Sequence, residues 1–187
     1  MPPAVVVDTV VSYLEEEALV GGYELADRRA EDLAGVYRSV AGIIGAGEDE
    51  IALLDSATRA WDMAFYSLRF EAGDRILTTS TEYAANFIAY LQVARRTGAR
   101  IEVIPDTPAG EIDVEALDVM IDDRVKLISI NHMPTNGGVL NPAHAVGEIA
   151  YRAGITYLLD ACQTVGQMPI DVDEIGCDLL AATSRKF

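Results

Sequence analysis

Cysteine is scarce in this chain. Cys162 and Cys177 are the two present, without CxxC spacing and without a histidine cluster beside them. That pattern excludes a cysteine-built zinc site and a disulfide framework, and leaves reduced thiols filling a core; no metal is expected. Positive charge is short as well. Fourteen Lys and Arg face thirty Asp and Glu, a formal charge of −16. With no basic stripe to meet a phosphate backbone, nucleic acid is excluded as a partner. The acidic residues are scattered apart from Glu15-Glu16-Glu17 and Glu48-Asp49-Glu50, the pattern of a solvated surface. Long apolar runs are missing too, since none approaches the roughly 18 residues that a membrane helix needs. The opening MPPAVVVDTVVSYLEEEA has neither a basic n-region nor a cleavage site, so the expectation is a cytoplasmic protein with no membrane partner.

What is present is a packed globular composition, half hydrophobic and a quarter charged. Helical spacing runs from Val5 to Glu17. It recurs at Leu33, Val36, Tyr37, Val40, Ile43 and Ile44, until Gly45 and Gly47 end it. From there short apolar strands alternate with helices. The strands are EIALLDS, DRILTTS, RIEVIP, VKLISIN, ITYLLDA and CDLLAATS; the helices are ATRAWDMAFYSLRF, YAANFIAYLQVARRTG, DVEALDVMID and PAHAVGEIAYRAG. Strands that are apolar on both faces and separated by helices imply right-handed crossovers. The expected class is α/β, a mostly parallel sheet with helices on both faces, preceded by two N-terminal helices. Residues 1–46 form a helical arm in this reading, and 47–187 the α/β domain. Ligands in such folds meet the C-terminal strand ends.

Those ends carry Asp55-Ser56-Ala57-Thr58, Ser80-Thr81-Glu82-Tyr83, the turn NHMPTNGG, Asp160-Ala161-Cys162-Gln163 and Thr183-Ser184-Arg185-Lys186. Neither GxGxxG, GxxxxGK[ST] nor GxSxG occurs among them, so a dinucleotide fold, a P-loop and a hydrolase elbow have no support. A lysine shielded from water becomes a nucleophilic amine able to form an imine with an aldehyde. A carboxylate on the next strand can pair with a protonated ring nitrogen. Hydroxyls and N–H groups at a helix start suit a phosphate, and an aromatic can stack on a flat ring. Aldehyde, pyridine nitrogen, phosphate and ring together describe pyridoxal 5′-phosphate.

The segment YLLDACQTVGQMPIDVDEIGCDLLAATSRKF resembles the cofactor-binding segment of fold-type I, class V aminotransferase-like enzymes, a group that includes cysteine desulfurases, isopenicillin N epimerase and C–S lyases. Upstream, DSATRAWDMAF, TEYAANFIAY and HMPTNGGVLNP match in order, so the likeness covers essentially the whole chain. It implies that Lys186 forms the Schiff base and moves the Cα proton, that Asp160 pairs with the ring nitrogen, and that Gln163 bonds the phenolic oxygen. Ala57, Thr58 and Thr183 would hold the phosphate. Tyr83 stands where many relatives have a stacking histidine, and Arg185 replaces another histidine with a permanent cation. Thr135 or Asn136 fills an amide position beside the ring. Trp61 and His132 read as core residues, and Cys162 and Cys177 as buried filler.

The resemblance also implies a chain cut short after its lysine, without a C-terminal small domain, and one that is inactive alone. The intact protein is expected to be a homodimer acting on a small amino acid. Transamination, epimerisation and C–S cleavage all use these same residues, so the reaction stays open. A non-catalytic α/β module is the alternative.

Overall fold

The computed structural model describes residues 2–186. Two compact units divide the chain: residues up to Gly42 with 47–51 form one, and residues 43–46 with 52 onward the other. The first holds α1 (Ala4–Val20), α2 (Gly22–Arg28) and most of α3 (Ala30–Ile44). Three helices thus replace the two expected, because Gly21, at φ 95°, breaks the run and opens a short helix that periodicity alone does not show.

The second unit alternates helix and strand. α4 (Ala57–Ser67), β1 (Arg75–Thr78), α5 (Ala84–Thr97), β2 (Arg100–Val103) and α6 (Val114–Met120) come first. β3 (Val125–Asn131), α7 (Ala143–Ala153), β4 (Thr156–Asp160), α8 (Val172–Ile175) and β5 (Leu179–Ala181) follow. All four strand pairings are parallel, in the order β2-β1-β3-β4-β5. The stretch EIALLDS, expected as a sixth strand, is not one. It follows a 3-10 turn at Glu48–Glu50, and Leu53 is half exposed. Apolar residues without a ladder partner do not make a strand, and Ser56 immediately begins a helix.

Side chains along a strand alternate between faces, and both faces of this sheet are covered. Trp61 and Phe65 of α4 and Tyr90 and Val93 of α5 pack on Ile76, Leu127, Leu158 and Ala181. Trp61 stacks on Phe65 at 4.9 Å, and Tyr90 meets both rings edge-on. Each such side chain contributes on the order of 1.5–3 kcal/mol by leaving water. On the opposite face Tyr157 reaches α7, its hydroxyl donating to the Ala143 carbonyl at 3.3 Å.

Gly147 lets α7 approach α8. A Cβ there would lie 1.8 Å from the Ile175 carbonyl oxygen, a backbone atom that cannot swing away. Gly147→Ala is therefore expected to destabilise the fold by about 1–3 kcal/mol, read as a lowered urea midpoint with an unchanged slope.

Candidate active site

The order of the strands reverses between β1 and β3, the place where open α/β sheets leave a crevice at their C-terminal ends. A cavity of about 420 Å³ opens there, within the size range of small-molecule sites. It is built from five segments, each placed by the element before it.

The first is the start of α4. Ser56 caps the helix by accepting from the Arg59 N–H at 3.2 Å, which leaves Ala57 and Thr58 in the first turn, where helix N–H groups lack intrahelical partners. The second follows β1. Thr81, Glu82 and Tyr83 line the cavity, Tyr83 as the N-terminal flank of α5. The third is the turn after β3, tied down by amides. Asn131 Nδ2 donates to Thr79 Oγ1 (3.2 Å) and to the Thr81 carbonyl (2.8 Å), while Asn141 Nδ2 donates to the Asn131 carbonyl (2.8 Å). Thr135 and Asn136 of this turn both line the cavity, and Thr135 Oγ1 accepts from Gln163 Nε2 at 2.9 Å.

The fourth segment follows β4. Asp160 is buried to 9 % exposure, with Oδ1 accepting from the Cys162 N–H (3.0 Å) and Oδ2 from Asn86 Nδ2 (2.9 Å). The fifth is the turn Ser184–Lys186 after β5. Thr183, Arg185 and Lys186 line the cavity, and the Lys186 carbonyl accepts from Gln167 Nε2 at 2.7 Å. The ten site residues expected from the sequence, Ala57, Thr58, Tyr83, Thr135, Asn136, Asp160, Gln163, Thr183, Arg185 and Lys186, all stand on the wall of this one cavity.

Other residues complete the wall, among them Trp61, which the sequence reads as core, and Glu82, Asn86 and Asn131, to which it assigns no role. Trp61 is a core aromatic, 1 % exposed, yet its Nε1 is the buried side-chain nitrogen left without a partner among the described residues. His132 is held by Thr164 Oγ1 at 3.0 Å, and burial lowers its pKa, so it serves the core in its neutral form. Burial, with the Asp160 charge next to it, pushes the Cys162 thiol up to about 12, and Cys177 rises to about 11 chiefly by burial. Both stay protonated thiols at neutral pH.

Glu82 is the unusual member. Its Oε1 accepts from the Tyr83 N–H (2.7 Å) and Asn86 Nδ2 (3.1 Å), and its Oε2 takes Thr78 Oγ1 (3.1 Å) and Tyr90 Oη (3.2 Å). Burial, reinforced by the Asp160 charge and opposed by these donors, moves its pKa from 4.5 to about 7. Between those values the folded chain keeps a proton that the unfolded chain has released. Its contribution to stability is whole below pH 4.5 and is lost as the pH rises through 7. Glu82→Gln, which cannot titrate, is expected to narrow the difference between urea midpoints measured at pH 5 and pH 8.

The family model for aminotransferase class-V matches residues 1–187. A probable cysteine desulfurase of Xylella fastidiosa is 33% identical over 100% of this chain and 46% of its own length. One from Synechocystis is 31% identical over 99% of this chain and 46% of its own. The chain spans about half the length of the curated relatives it matches. Among solved structures, the cystine C–S lyase C-DES in complex with cysteine persulfide superposes with a TM-score of 0.90 at 19% identity, over 98% of this chain and 50% of its own. The apo cysteine desulfurase of Thermococcus onnurineus gives 0.83 at 24%, over 95% and 46%. At these identities the structures show the shared fold.

Proposed function

The chain belongs to the aminotransferase class-V family, and from that premise we propose that the intact protein is a pyridoxal 5′-phosphate enzyme that cleaves the C–S bond of a small sulfur amino acid. One observation carries the reading: an amine, a doubly supported carboxylate, an amide, an exposed tyrosine and a helix start meet in one cavity. The sulfur substrate rests on the relatives, which bear the name cysteine desulfurase.

The residues fit the cofactor group by group. The first turn of α4, with the Thr58 and Thr183 hydroxyls and the Arg185 guanidinium, suits its phosphate. Tyr83 offers a ring face, and Asp160 an acceptor for a ring N–H. Gln163 and either Thr135 or Asn136 would hydrogen-bond the ring's polar substituents. When bound, pyridoxal phosphate supplies an aldehyde for amines and a ring that draws electrons from the amino acid's α-carbon.

The chain's own contributions follow. Asp160, fixed by Cys162 N–H and Asn86, is oriented by the chain's own donors, so it would accept a ring N–H without reorganisation. Lys186 stands on the turn after β5, and its ε-amine would hold the aldehyde group and move a proton at the amino acid's α-carbon. Gln163, braced by Thr135, holds its amide in one orientation. The same reading gives residues 1–46 as an arm, 47–187 as the cofactor domain, and a symmetric dimer for the intact protein. No helix among the described residues is long and apolar enough to cross a membrane.

Residues 1–187 hold two lysines. Lys126 stands near the start of β3, at the other end of the strands from the cavity, and Lys186 stands on its wall. Borohydride treatment of the intact protein with pyridoxal phosphate is expected to fix the cofactor to the Lys186 peptide, read by mass, and to bleach a visible band. An unmodified Lys186 peptide would overturn the proposal.

A further inference from the structure

Glu82 and Asp160 are two carboxylates joined by a single amide. Asn86 Nδ2 lies 3.1 Å from Glu82 Oε1 and 2.9 Å from Asp160 Oδ2, so its two N–H bonds can serve one acid each. Asn86 is 2 % exposed and leaves the bridge no alternative partner in solvent. The groups facing Glu82 come from every neighbouring element. They are Thr78 from β1, the Tyr83 N–H from its own loop, Asn86 and the titratable Tyr90 from α5, and the charge of Asp160 from β4. None of its hydrogen-bond partners is a cation, so this is not an ion pair serving stability.

We propose that Glu82 is a positioning residue for the ring-nitrogen site, acting through Asn86 to set the orientation and charge environment of Asp160 and so the proton held between Asp160 and the bound ring. This rests on the cofactor reading above. The hydrogen bonds allow two states of the cluster. With a proton on Oε2, Glu82 donates to Tyr90 Oη, and Tyr90 donates onward to Ser129 Oγ at 2.8 Å. Without it, the Thr78 and Tyr90 hydroxyls donate to Oε2, and two like charges then share the Asn86 amide. Protonation of Glu82 removes the like charge facing Asp160, and ionisation makes the site more negative and holds a ring N–H more tightly. The displacement of Glu82 to about 7 puts this change near neutral pH.

The experiment is a pH titration of the visible band of the intact, cofactor-loaded protein, wild type beside Glu82→Gln and Thr78→Val. Glutamine copies the protonated acid in shape and cannot ionise. Valine keeps the β-branched shape at Thr78 but removes a donor that favours the carboxylate, so it raises the midpoint. The expected result is an inflection in wild type that is absent in Glu82→Gln and moved to higher pH in Thr78→Val. If Glu82→Gln does not fold, the upward shift in Thr78→Val decides the matter. Identical titrations in wild type and the folded variants, with borohydride fixing the cofactor to Lys186 in each, would overturn the role of Glu82. Failure of wild type to take up cofactor at Lys186 would instead overturn the reading beneath it, and this inference with it.

Discussion

Replacing Lys186 by alanine is expected to abolish covalent cofactor attachment and to lower kcat/KM of the intact protein for its sulfur amino acid by about a thousandfold or more. The size follows from what is removed. On the proposed function the amine would be both the nucleophile toward the aldehyde and the carrier of the α-proton, and a positioned acid–base group alone is worth about 10²–10⁴-fold. Lys126 cannot substitute, since it lies toward the opposite end of the sheet from the cavity. The fold should survive. The structural bond at this position is made by the Lys186 carbonyl, which accepts from Gln167 Nε2 whatever the side chain. The unfolding free energy is therefore expected to stay within about 0.5 kcal/mol of wild type. Activity lost together with stability would mean that the turn, not the amine, had been damaged.

Asp160→Asn is expected to be nearly as severe, and for two reasons that measurement can separate. A carboxylate only accepts, and Asp160 uses both oxygens, one for the Cys162 N–H and one for Asn86. Asparagine must turn its NH₂ toward one of these donors, which breaks a buried hydrogen bond at a cost of about 1–3 kcal/mol. The second effect is chemical: a neutral amide offers the ring nitrogen no charge. Removing one preorganised electrostatic partner of a reacting group costs about a hundredfold to a thousandfold. A denaturation curve reads the first loss, and kcat/KM at saturating cofactor reads the second. A variant that loses stability but keeps its rate would show that Asp160 only supports the turn after β4.

Glu82 shows why part of the site was not legible in the sequence. In TEYAANFIAY the stacking position draws attention to Tyr83, and Glu82 and Asn86 look like ordinary loop and helix residues. Their significance appears only when α5 folds against β4 and brings Asn86 to Asp160 across 74 positions of sequence. Trp61 serves two surfaces at once. Its ring belongs to the core, as its sequence setting implied, but the helix that buries it also forms a cavity wall. The strand EIALLDS failed for a related reason. Local apolarity marks burial potential, while a strand also needs a neighbour to complete its hydrogen bonds.

The sequence alone determined the elements whose signals are local. Strand apolarity set β1, β3, β4 and β5, helical spacing set α4, α5 and α7, and Gly98 and Gly154 ended two of those helices in left-handed conformations. Because strands, crossovers and handedness leave few topologies, it also determined that the residues at the strand ends share one rim. Only the tertiary structure decided which polar groups on that rim touch, how Asn86 is divided between two acids, and that Glu82 is lifted toward neutral pH. Hydrogen-bond partners and desolvation depend on distances of a few ångströms between segments far apart in the chain, and no local pattern of residues encodes those distances.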